Sequence, residues 1–154
     1  MTTEPDADAV RSELTDRIRR SWEQLHAAVD QLDDGQLGAA GPDGWSAKDH
    51  LVHLERWEAY VLAELEGRNG SPELGIAEGA EAPETEVIND GLQRRHADLP
   101  AAEVRQSLED THARMMALLA KLDEADLLRH LAWIGGNTHE HFDEHRGWIA
   151  AIAS

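Results

Sequence analysis

Four stretches of the chain repeat apolar residues at alternating spacings of three and four, the pattern of a helix with one buried face. In the first, Leu14, Ile18, Trp22, Leu25, Val29 and Leu32 form the stripe, which ends before Asp33-Asp34-Gly35. The second follows Gly44-Trp45, where Ser46 and Asp49 make a capping-box pair. It runs through Leu51, Leu54, Trp57, Val61 and Leu65 to a stop between Gly67 and Gly70. The third starts near Pro100, a residue suited to a first helical turn, and shows Val104, Leu108, Thr111, Met115, Leu118 and Leu122. The fourth reads Ile134, Thr138, His141, His145, Trp148 and Ile152, with Trp133 at its opening. Stripes of this kind pack most simply as an all-α four-helix bundle. Between the second and third lies the aperiodic run RNGSPELGIAEGAEAPETE, expected as loop, then a short helix from Thr85 to Arg95 with Val87, Ile88 and Leu92 apolar. So long a connection permits a crossover in place of a hairpin. No run alternates β-branched and polar residues as a strand would. The expectation is a single domain over residues 1–154, with residues 1–9 flexible.

Composition narrows the chemistry. With 154 residues, 41% of them hydrophobic, the chain can bury one full core. Cysteine is absent, which removes disulfides, thiolate nucleophiles and sulfur-ligated metals. The net charge of −17, from 14 basic and 31 acidic residues, repels phosphates and anionic head groups. Nucleic acid and membrane surfaces are therefore not expected as partners. No apolar run reaches the ~18–20 residues that span a bilayer. The acidic start MTTEPDADAV is unlike a signal peptide. The expected protein is soluble and cytoplasmic, a monomer or a homodimer.

Residues 137–146 read NTHEHFDEHR, three histidines among Glu140, Asp143 and Glu144. On the fourth stripe His141 and His145 are seam positions, four residues apart on one face, whereas Glu140, Asp143, Glu144 and Arg146 fall toward solvent. His139 also lies away from the seam's centre. Two imidazoles one helical turn apart can share a metal. The alternative is a pair hydrogen-bonded inside the bundle or at a wet end of it, and burial without partners would be costly. A third ligand can come from the second helix, where His50 lies nearer the middle of the apolar stripe and His53 on its flank. Periodicity does not choose between them. His26 and His112 are further flank candidates.

Five tryptophans stand beside one tyrosine and one phenylalanine. Trp22, Trp57 and Trp148 lie on stripes, while Trp45 precedes a helix. Such a set either fills the core or walls a ligand cavity with indole rings, each with one N–H to orient a polar group.

The stretch GWSAKDHLVHLERWEAYVLAELEG, followed much later by NTHEHFDEHRGWI, resembles the DinB-like superfamily of four-helix bundles. Within it the ClbS/DfsB branch is the most similar. The shared features are a Trp-Ser-x-Lys-Asp helix start, a His-Leu with a nearby Trp, and a final Asn-Thr-x-x-His-x-x-x-His. The intervening VINDGLQRRHADLPAAEVRQSLEDTHARMMALLAKLDEADL is also similar, so the resemblance covers roughly residues 10–152.

Carried over residue by residue, the superfamily's metal triad falls on His53, His141 and His145, which selects His53 over His50. The resemblance implies a divalent ion, zinc or nickel, with an open position. It also implies a small-molecule pocket, assigned here to Trp45, His50, Trp57, Asn137, His139 and Trp148. His139 stands where an aromatic residue is often expected. In the ClbS-like branch the implied role is protection against reactive small molecules, by hydrolysis or by sequestration. A hydrolase would use the metal, or a histidine such as His145 as general base with Glu140 as its orienter. A non-catalytic binding module and a metal-dependent thiol transferase or isomerase are the other readings.

Overall fold

The computed structural model describes residues 6–153, and among them every regular element is helical. Helix α1 spans Ala7–Asp30, α2 Asp34–Gly38, α3 Ala47–Leu65, α4 Thr85–His96, α5 Ala101–Lys121, α6 Glu124–Asn137 and α7 His139–Ala153, with a 3-10 turn at Ser71–Leu74. The first five residues of the segment expected to be flexible lie outside the described residues. The rest of it does not: the Asp6 side chain accepts the Asp8 N–H and starts α1, and Ala7 is buried.

Helices α1, α3 and α5 form three arms of the bundle, and α6 with α7 forms the fourth. Their directions follow from which ends meet. Arg105 near the start of α5 pairs with Asp30 at the end of α1, and Arg11 near the start of α1 donates to the Leu122 carbonyl at 2.7 Å, so α1 and α5 run in opposite senses. Thr111 of α5 donates to Glu55 of α3 at 2.8 Å and His112 lies 3.2 Å from Glu58, so α3 and α5 run in the same sense. That parallel pair requires the long connection between α3 and α4 to cross the bundle. The crossover is fixed by its own apolar cluster of Leu74, Ile76, Ile88 and Leu92, against which Trp57 and Tyr60 pack. Lys48 adds two bonds of 2.8 Å to the carbonyls of Ala97 and Leu99.

The core holds Leu14, Ile18, Leu25 and Val29 from α1, Leu51, Leu54 and Val61 from α3, and Val104, Leu108 and Met115 from α5. These are the stripes read from the sequence. Helix α3 is buried nearly all round, because α4 covers the face that the other arms leave open.

The fourth arm departs from expectation. It begins at Glu124, capped by Asp123, and breaks at Thr138, where φ −123 and ψ −102 leave helical geometry. The Thr138 hydroxyl donates to the Ile134 carbonyl at 2.7 Å, taking up an acceptor freed by the break. Residues 134–152 are therefore not one unbroken seam. Past the break the deepest positions are Phe142, His145 and Ile149, while His141 is half-buried and Trp148 is 48% exposed. Helix α2 was not anticipated either; Asp33 and Gln36 close a capping box around it and it buries Leu37.

Candidate metal centre

The start of α3 sets the site's geometry. The Ser46 hydroxyl accepts the Asp49 N–H and the Ser46 N–H donates to the Asp49 carboxylate, both at 3.0 Å. This reciprocal cap fixes the first turn. Ahead of it the chain turns at Gly44, with φ +87, and the Trp45 N–H donates to Asp43 at 3.0 Å. The turn sets Trp45 edge-on to His53 and 5.1 Å, centroid to centroid, from His50. Gln93 of α4 donates to Asp49 at 3.0 Å, which ties the crossover to the same corner.

Helices α3 and α7 then bring four imidazoles together. His53 and His141 face each other with Nε2 atoms 2.9 Å apart, and His50 and His145 with Nδ1 atoms 2.8 Å apart. His53 stacks on His145 at 4.5 Å between centroids, and His141 meets His145 edge-on at 4.6 Å. One ring nitrogen from each of His53, His141 and His145 falls within a span of 4.8 Å. Among the described residues this is the group that can hold a metal ion.

Burial keeps these rings neutral. Loss of solvation is the first cause in each case: it pulls His53 down to about 3, with His141 and His50 adding to the shift and Asn89 opposing it. The same cause pulls His141 down to about 4. His145 is lowered furthest, by burial and then by His53, His141 and His50. His50 is lowered by burial against the pull of Asp43 and Asp49. A neutral imidazole offers one lone pair and one N–H. Protons therefore do not compete for the lone pairs near neutral pH, which suits metal ligation.

The donor set fits a borderline divalent ion. It is all nitrogen, as zinc and nickel accept. The 2.9 Å between His53 and His141 is close to the ~3.3 Å between two nitrogens on one tetrahedral zinc. Nδ1 of His53, Nδ1 of His141 and Nε2 of His50 are buried without a protein partner, so these rings carry hydrogen-bonding or ligating capacity that the protein itself does not use.

The triad opens on a cleft of about 500 Å³. Its walls include Trp45, Trp57 and Trp148, with His50, Asn137 and, from α4, Thr85 and Asn89. Trp57 donates its indole N–H to Asn89 at 3.0 Å, which holds the ring against α4. Asn137 donates to the Trp133 carbonyl at 2.9 Å.

Two assigned residues are not here. His139 and Glu140 line a separate groove against Val10, Glu13, Leu14 and Arg17 of α1. Glu140 directly precedes His141, and one helical step turns it about 100° away, so it does not orient the triad. Glu144, expected at the surface or the pocket rim, is exposed and lies on the cleft wall with Asp43. The wheel could have found Glu144, since it lies three residues after His141 on the flank of the same face. Asn89 and Thr85 reach the cleft only because α4 crosses over it, and local periodicity carries no signal for that. His112 instead pairs with Glu58 and stacks on Trp22 at 3.7 Å, and His26 lies 2.9 Å from Glu109. Trp22 and Trp133 pack against the core.

The fold agrees with the family comparison. Residues 17–153 match the DinB superfamily, and the chain belongs to it. A solved structure titled "Sibling Lethal Factor Precursor - DfsB" superposes with a TM-score of 0.76 over 93% of this chain and 94% of that one, at 19% identity. At that identity the likeness speaks for the fold. No curated protein sequence matches the chain at a significant level.

Proposed function

We propose that the cleft binds a reactive small molecule beside a divalent zinc or nickel ion on His53, His141 and His145, and that the protein detoxifies it. The observation that carries this reading is the convergence of three neutral imidazoles, two buried and one half-buried, at the wall of a cleft faced by indole rings. When bound, such an ion supplies a Lewis acid at that point. The chain's own residues supply the rest. Trp45, Trp57 and Trp148 give flat apolar walls, and the side chains of Thr85, Asn89 and Asn137 give polar contacts to orient a ligand.

Detoxification by hydrolysis and by sequestration draw on the same walls. The thiol-transfer reading ranks behind both, because the lining residues include Asp43 and Glu144 and no lysine or arginine to meet an anionic thiol. Among the described residues no helix is long and apolar enough to cross a membrane.

The test is a turnover measurement with a panel of strained and acylating electrophiles, each in excess over zinc-loaded protein. Consumption beyond one equivalent that disappears in His145→Ala supports hydrolysis. Protection that stops at one equivalent, survives His145→Ala and weakens in Trp57→Ala supports sequestration. Consumption only after adding a low-molecular-weight thiol would move the assignment to transfer, and no binding of any probe would overturn the detoxification reading.

A further inference from the structure

His50 stands outside the triad yet is bonded to it. The side chain is 2% exposed, its Nδ1 lies 2.8 Å from Nδ1 of His145, and its Nε2 is buried, without a protein partner, in a residue that lines the cleft. Two ring nitrogens at that distance must share one proton, because two lone pairs would repel and two N–H groups would collide. With both rings neutral, two arrangements exist. If His50 donates, His145 carries its own proton on Nε2 and has no free lone pair for a metal. If His145 donates, its Nε2 lone pair is free and His50 carries its proton on Nε2.

We propose that His50 is a positioning residue: it accepts the Nδ1–H of His145 and so holds that ring in the tautomer whose Nε2 lone pair joins the triad. This rests on the reading that the triad binds metal. The arrangement is the neutral counterpart of the carboxylate or carbonyl that usually takes the second N–H of a metal-bound histidine. It also places the remaining His50 proton on Nε2, the nitrogen that lacks a protein partner. The sequence placed His50 near the middle of its stripe but gave no sign of this bond, which depends on α3 and α7 crossing at that point.

The test compares wild type with His50→Leu, which removes the acceptor, and His50→Asn, whose amide oxygen sits near the Nδ1 position. Zinc affinity is read by competition with a chromophoric chelator, and ligand geometry by the visible spectrum of the cobalt-substituted protein. His50→Leu should lose about 10–100-fold in affinity and shift the cobalt bands, and His50→Asn should recover most of the loss. Unchanged affinity and spectrum in His50→Leu would overturn the proposal. Nitrogen-15 NMR of the wild-type imidazoles needs no substitution, so it stands even where a variant fails to fold. An Nδ1–H on His145 supports the proposal and an Nε2–H overturns it. If wild type binds neither zinc nor cobalt, the metal reading fails, and the same spectrum of metal-free protein still decides the role of His50.

Discussion

Lowering the pH on metal-free protein probes the buried imidazoles directly. His53 has an ordinary value of 6.5 in the unfolded chain and about 3 in the fold, with burial as the main cause. Between these values the unfolded chain binds a proton that the folded chain refuses, so the unfolded state gains on acidification and stability rises with pH. The contribution is fully present above 6.5 and is lost as the pH falls toward about 3. At pH 5 the unfolded chain has gained 1.5 pH units of binding free energy, about 2 kcal/mol from His53 alone. The acidic surface opposes this, because protonation relieves repulsion within a chain of net charge −17. A variant that keeps the surface but not the imidazole separates the two effects. Urea unfolding in the presence of chelator, at pH 7.5 and pH 5, should show wild type losing about 2 kcal/mol relative to His53→Gln. That corresponds to roughly 1 M in the urea midpoint for an m-value of about 2 kcal/mol/M. Parallel pH profiles for the two proteins would refute the claim that His53 is held neutral by the fold.

Three further outcomes follow from particular contacts. Ser46→Ala removes one half of the capping box of α3 and should cost about 1 kcal/mol in urea unfolding. Gly70→Ala places a Cβ 2.6 Å from the Tyr60 ring and 2.7 Å from its carbonyl oxygen, and should cost about 1–3 kcal/mol in the same assay. Trp57→Phe removes the N–H bonded to Asn89 while keeping an aromatic wall; it should weaken retention of a cleft ligand about tenfold and leave zinc affinity unchanged.

The core stripes of α1, α3 and α5 were legible because one face of each helix meets the bundle centre, and a buried face writes its period into the sequence. The same logic misread the last arm. Apolar and histidine positions continue across Thr138 at helical spacing, so the wheel joined two helices that the backbone separates, and it centred the stripe on His141 and Trp148 instead of Phe142 and Ile149. The signal for α6 was present in Asp123 followed by Leu127, Leu131 and Ile134. His141 and His145 were recoverable from spacing alone, but the choice between His50 and His53 needed the family resemblance. The fold uses both rings, His53 against His141 and His50 against His145. Glu140 shows the opposite limit: adjacency in sequence to a ligand candidate did not bring it onto the cleft wall, and it lines the groove against α1 instead.

Whether His53, His141 and His145 bind a metal ion decides the function proposed for the cleft. Protein purified without an affinity tag, stripped with chelator, equilibrated with zinc or nickel and freed of excess, is to be measured by elemental analysis beside His141→Ala. Wild type should hold one ion per chain and His141→Ala none, with helix content by circular dichroism the same in both. Wild type that retains no ion, or a variant that retains as much as wild type, would contradict metal binding at the triad.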